Sequence, residues 1–123
     1  MRPINVVLVH HDPLMARGLA ESLRPQFRKL VIVNNLVEAR AEIARLRAAF
    51  VVVDLELLSY SDVQKLCSEF PSTVVASVHR LADESMWLQS LAVGAVDCCQ
   101  INDIRGLLRA SERYAAAAMT AAA

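Results

Sequence analysis

The chain has 123 residues, 55% of them apolar, a length that suits one domain with a core of its own. Its 13 basic and 13 acidic residues cancel, which argues against an electrostatic grip on nucleic acid or on a membrane surface. No apolar run approaches the ~20 residues that span a bilayer, and three cysteines, Cys67, Cys98 and Cys99, with no C-x-x-C pair and no signal peptide, suit a reducing, cytoplasmic setting.

Ile4 to Val9 is an apolar run broken only by Asn5, and it predicts a first strand that ends in His10-His11-Asp12-Pro13. Asp12 suits an N-cap and Pro13 the first helical position, where no N–H is needed. Met15, Ala16, Leu19, Ala20 and Leu23 then recur at helical spacing until Pro25. Leu30 to Val33 predicts a second strand. Asn35 with Glu38 reads as a capping box for a helix lined by Leu36, Ala39, Ile43 and Leu46.

Phe50-Val51-Val52-Val53-Asp54 is the most informative stretch. A short apolar run without alternation suits a strand buried on both faces of a parallel sheet. Asp54 falls where that strand emerges at its carboxyl end, the edge at which open α/β sheets build their sites. The bland alternative is an aspartate that merely caps the next turn. Ser61-x-x-Gln64 reads as a capping box for a third helix with Val63, Leu66, Cys67 and Phe70, stopped by Pro71. Thr73 to Val78 predicts a fourth strand with Ser77 near its exit. Asp83 caps a fourth helix through Trp87, Leu88 and Leu91, and Gly94 ends it. Ala95 to Cys99 predicts a weaker fifth strand. Asp103 caps a fifth helix with Ile104, Leu107 and Leu108 inward and Arg105, Arg109 and Arg113 outward.

Five βα units predict a parallel sheet covered on both faces. The right-handed crossover rule and the size favour the flavodoxin-like strand order 2-1-3-4-5. Its switch point lies between strands 1 and 3, which deliver His10, His11 and Asp54 to one crevice. We expect the domain to occupy residues 1–114 and the alanine-rich tail, 115–123, to extend the last helix or fray.

With these stretches in order, the chain resembles a response-regulator receiver domain over nearly its whole length. The carriers are Val7-Leu8-Val9-His10-His11-Asp12-Pro13, Val51-Val52-Val53-Asp54, Val74-Val75-Ala76-Ser77-Val78-His79 and Ala92-Val93-Gly94-Ala95. Arg17-Gly18-Leu19 is similar to the subfamily with a helix-turn-helix output. The resemblance implies that Asp54 is the phosphoacceptor position and Ser77 a phosphoryl contact. It also implies departures. His10 and His11 stand where two acids help to hold Mg²⁺, Ile101 stands at the lysine position, Cys98 at the aromatic switch position and Leu58 where a proline is common.

These departures matter because Mg²⁺ is a hard ion that wants oxygen ligands, whereas imidazole suits softer metals. Phosphoryl transfer also needs charge neutralisation by metal and cation. His10 and His11 have three readings. They are solvated loop residues in place of a lost metal site, the plainest reading; they pair with Asp54 as imidazolium groups; or with Asp54 they bind a transition metal. The expected function is thus a receiver-like signalling module that acts by protein contact, with no cofactor and no enzymatic activity. A working phosphorelay domain, with Mg²⁺ and a histidine kinase, is the alternative. A small-molecule-binding flavodoxin-like domain is remote, because Gly18, Gly94 and Gly106 offer no phosphate loop. The resemblance implies a contact face on the fourth helix, fifth strand and fifth helix. Met86, Trp87, Gln89, Ser90, Arg105, Arg109, Glu112 and Arg113 would supply it, for a protein partner or a homodimer. Trp87 and Tyr114 are aromatic candidates for interface anchors, with partial burial in the core as the default reading.

Overall fold

The computed structural model describes residues 2–113. Its five strands are β1 (Arg2–Val9), β2 (Phe27–Val33), β3 (Phe50–Asp54), β4 (Val74–His79) and β5 (Asp97–Gln100). The helices between and after them are α1 (Pro13–Leu23), α2 (Leu36–Leu46), α3 (Tyr60–Glu69), α4 (Glu84–Ala92) and α5 (Ile104–Ser111). All strand pairs are parallel, in the order β2-β1-β3-β4-β5. The expected α/β architecture and strand order are therefore those of the structure.

The pleat explains the unbroken apolar runs. Alternate residues of β3 point to opposite faces. Phe50 and Val52 enter the core under α1 and α5, and Val51 and Val53 enter the core under α2 and α3. Every residue of β3 is buried, so no position on it can be polar until the chain leaves the sheet at Asp54.

Several boundaries differ from expectation, each for a local reason. The second strand begins at Phe27 rather than Leu30. Arg28 and Lys29 are exposed on this edge strand, so two charges hide a strand whose Phe27 is buried. The third helix starts two residues early. Ser59 and Asp62 form the reciprocal capping box in place of Ser61 and Gln64. Asn35 accepts from the Glu38 N–H as expected. The fourth strand starts one residue late and extends to His79. The fifth spans Asp97–Gln100, so Ala95 is buried ahead of the strand. Gly94, at φ 109, makes the turn that ends α4. The predicted caps Asp12, Asp83 and Asp103 each accept from first-turn N–H groups. Tyr114 and the tail 115–123 lie outside the described residues. No helix among the described residues is long and apolar enough to cross a membrane.

Candidate functional site

Asp54 reaches the carboxyl edge of the sheet as the last residue of β3, and His10 and His11 follow directly on β1, its neighbour. This is the switch point, where the chain leaves β1 toward β2 on one side and β3 on the other. The carboxylate is only 1% exposed, and protein donors occupy both of its oxygens. The Glu56 N–H donates to Oδ1 at 2.8 Å. The His11 N–H donates to Oδ2 at 3.2 Å, and the His11 Nδ1–H donates to the same oxygen. Burial is the largest single influence on Asp54 and pushes its pKa up. The bonds from the His11 ring, the Glu56 N–H and the His11 N–H together outweigh it, and the carboxyl lies below its usual range. His11 moves the other way. The hydrogen bond to Asp54 raises its pKa, although its side chain is 38% exposed.

The two histidines are not equivalent. His10 is 2% exposed. Burial lowers its pKa against the opposing pull of Asp54. Its Nδ1 accepts from the Asp12 N–H at 3.0 Å. The proton of the neutral ring is therefore on Nε2, which is buried without a partner among the described residues. His10 Nδ1 lies 3.7 Å from Asp54 Oδ2, but both atoms are acceptors, so this is a close approach and not an ion pair. The two imidazoles stack with centroids 5.1 Å apart and planes 14° from parallel. His10 is thus not the solvated loop residue of the plainest reading. His11 is the ring that pairs with Asp54.

The other site candidates do not join them. Ser77 is fully buried, and its Oγ lies 2.7 Å from the Ser90 Oγ and 3.4 Å from the Asp97 carbonyl. It lies on the right strand, but its hydroxyl bonds toward α4 and β5 instead of Asp54. Asp54 pairs with Val78, and the residue at the end of β4 is His79, whose Nδ1 accepts from the Leu81 N–H at 2.9 Å. Ile101 is half-buried against the core in a groove shared with Met15, Leu19 and Ile104. Cys98 pairs with Ser77 across β4 and β5 and is half-buried. Ser90, expected on the contact face, is fully buried. Met86 is half-buried; Trp87, Arg105, Arg109 and Arg113 are exposed. The Trp87 Nε1–H donates to Asp97 at 3.2 Å.

Sequence reading missed one contact. Arg80 Nε donates to both Glu56 carboxylate oxygens, at 2.9 and 3.1 Å. The pair ties the loop after β3 to the loop after β4. Its only sequence signal is an acid two residues past Asp54 and a base one residue past His79.

His10, His11 and Asp54 each offer one ligand atom, and these atoms lie within 4.8 Å of one another. The set does not fit Mg²⁺, which wants about six oxygens in an octahedron. It offers one carboxylate and two nitrogens, and of the other acids nearby Asp12 is committed to capping α1 and Glu56 to Arg80.

No family model and no curated protein matches the chain. Solved structures do. A response regulator from Thermotoga maritima is 22% identical, with a TM-score of 0.79 over 94% of this chain and 99% of that one. A CheY-like receiver domain protein from Methanospirillum hungatei is 17% identical, with a TM-score of 0.80 over 96% and 98%. A response regulator from Burkholderia pseudomallei, solved with a phosphorylated aspartic acid, a calcium ion and citrate, is 20% identical, with a TM-score of 0.78 over 98% and 73%. The chain has the fold of response-regulator receiver domains.

Proposed function

We propose that the chain is a receiver-like signalling domain that acts by protein contact, with His11 neutralising Asp54 where a relay domain would use Mg²⁺. One observation carries this reading: both oxygens of the Asp54 carboxylate are taken by donors from its own chain. An aspartyl nucleophile needs a free oxygen, and the incoming phosphoryl group needs metal and cationic partners. Ile101 supplies neither, and the nearby guanidinium of Arg80 is held by Glu56. Such a domain has no catalytic role and works in the cytoplasm, without direct contact to nucleic acid or membrane.

The proposed contact face is the α4–β5–α5 surface. Trp87, at 41% exposed, Arg105, Arg109 and Arg113 give it aromatic and arginine side chains of the kind enriched at interfaces. The occupant is a protein partner or a second copy in a two-fold dimer.

The test is incubation with Mg²⁺ and a small phosphodonor, read by intact mass. We expect no phosphate adduct. A stoichiometric adduct lost in Asp54→Asn overturns the reading in favour of a working phosphorelay domain served by a histidine kinase. The combined variant His10→Asp, His11→Asp and Ile101→Lys is expected to gain Mg²⁺ affinity, since it restores oxygen donors and a cation.

A further inference from the structure

We infer that His10, His11 and Asp54 form a binding site for a divalent transition-metal ion of the Zn²⁺ class. The inference goes beyond the signalling reading and does not depend on it. Two parallel neighbours, β1 and β3, end side by side and bring three donor side chains to one point. An ion ~2.0–2.2 Å from each nitrogen and oxygen holds its donors roughly 3–4 Å apart. His10 Nδ1 and Asp54 Oδ2 are already 3.7 Å apart. His11 Nδ1 is closer to that oxygen than two ligands of one ion stand, because the two now share a proton. The ion displaces that proton to water and the donors separate.

The donors are oriented for this exchange. The Asp12 N–H points at His10 Nδ1 and marks it as the lone-pair nitrogen. The Glu56 N–H holds Asp54 Oδ1, which leaves Oδ2 turned toward the histidines. Binding gives up the Asp12 bond and turns the same lone pair to the metal. Two imidazoles and one carboxylate are a borderline donor set that suits Zn²⁺ or Co²⁺ rather than Mg²⁺. The partly exposed His11 provides the way in, and water fills the remaining positions, as in three-ligand zinc sites. His79, at the end of β4, is not among the side chains whose donor atoms gather at this point.

The test uses the untagged full chain, stripped with chelator. Co²⁺ is titrated for its visible absorption, then Zn²⁺ and Mg²⁺ by calorimetry. We expect one Co²⁺ per chain with the intense bands of low coordination, displacement by Zn²⁺, and no response to millimolar Mg²⁺. His11→Ala and Asp54→Asn should each weaken binding at least about tenfold, since even changes outside the ligand shell cost ~10–100-fold. His79→Gln should bind like the parent. His10→Gln is scored only if its thermal melt shows it folded, and the other two variants carry the test without it. A Co²⁺ spectrum that stays that of the hydrated ion overturns the inference. So does parental affinity in His11→Ala, or loss of binding in His79→Gln. The phosphodonor assay, run with Mg²⁺ and without Zn²⁺, fails or succeeds separately.

Discussion

The two halves of the sheet's carboxyl edge solve the same problem differently. At the ends of β1 and β3 the buried polar groups are the His10 ring and the Asp54 carboxylate, and the carboxylate is satisfied by the His11 ring and two backbone N–H groups. At β4 the buried polar group is the neutral Ser77, which pairs with the buried Ser90 of α4, and Ile101 packs into apolar surroundings nearby. One half can be changed by a proton or an ion. The hydroxyl pair of the other half holds no group that ionises near neutral pH. In a working relay domain, the resemblance implies, one phosphoryl group touches both halves. Here the Ser77 hydroxyl bonds to Ser90 and Asp97 instead of Asp54, and the two halves are tied at their loops by the Arg80–Glu56 pair.

Breaking the charged half should have the largest effect. Asp54→Ala leaves the Glu56 and His11 N–H groups without acceptors and His11 without its partner. Loss of one member of a buried pair costs ~3–5 kcal/mol. His11 is more than a third exposed, so solvent screening reduces this to about 2–3 kcal/mol. Urea denaturation measures it, and Asp54→Asn, which keeps an acceptor, should lose less. If Asp54→Ala is as stable as the parent, the carboxylate is not held as we describe.

The neutral half should lose less. Ser77→Ala or Ser90→Ala alone leaves one buried hydroxyl with a poorer partner and costs about 1–2 kcal/mol. The double variant leaves no orphan, so its cost should fall below the sum of the singles, and the difference measures their coupling. Additive losses in that cycle would mean that the 2.7 Å approach of the two hydroxyls contributes nothing.

The sequence made some of this contrast legible and concealed the rest. Buried strands announce themselves as apolar runs, so β3 and its terminal Asp54 are visible, and with them the strand order and the crevice. A side chain's direction at a strand end is not visible. Ser77 is on the right strand, but one more turn of the pleat at Val78 and His79 carries the exit past it. Its partner Ser90 looks like one more polar residue on a helix. The inequality of His10 and His11 is also hidden. It follows from burial of one ring behind the other and from the Asp12 N–H, both tertiary facts. Arg80 and Glu56 meet only because two loops from adjacent strands face each other.

A pH titration of stability in the presence of chelator sharpens the comparison next. Asp54, Asp12, Glu56 and the two rings themselves are the charged groups that act on this pair. His11 has a raised pKa in the folded chain. Its contribution is complete below about pH 6.5, the unfolded value, and is lost as pH rises through the folded pKa. His10 has a lowered folded pKa, so the unfolded chain takes up a proton first and stability falls as pH drops below about 6.5. The lowered pKa of Asp54 protects its contribution until pH falls through the folded value, below about 4. Stability should therefore peak near neutral pH. His11→Gln should flatten the alkaline side and His10→Gln the acidic side. Each slope is of order 1 kcal/mol per pH unit for a full proton difference. Ser77→Ala should leave the shape unchanged, and if it does not, the two halves are coupled.

The smallest stability effect belongs at Trp87, and there the comparison turns from the edge of the sheet to its exposed face. The indole is 41% exposed, and its one hydrogen bond, to Asp97, is itself at the surface. Trp87→Phe keeps most of the ring and loses that bond, so the folded chain should weaken by about 0.5 kcal/mol, the low end for an exposed hydrogen bond. A contact anchor behaves differently. An exposed aromatic at the centre of an interface can cost 2 kcal/mol or more, roughly a thirtyfold change in dissociation constant, when truncated. Solution mass across micromolar concentrations separates the two roles. If the α4–β5–α5 surface joins two copies, Trp87→Ala and Arg109→Glu both shift the chain toward monomer. If the parent and both variants are monomers throughout, the homodimer is wrong. A partner protein that binds both variants as it binds the parent would remove the face itself from consideration.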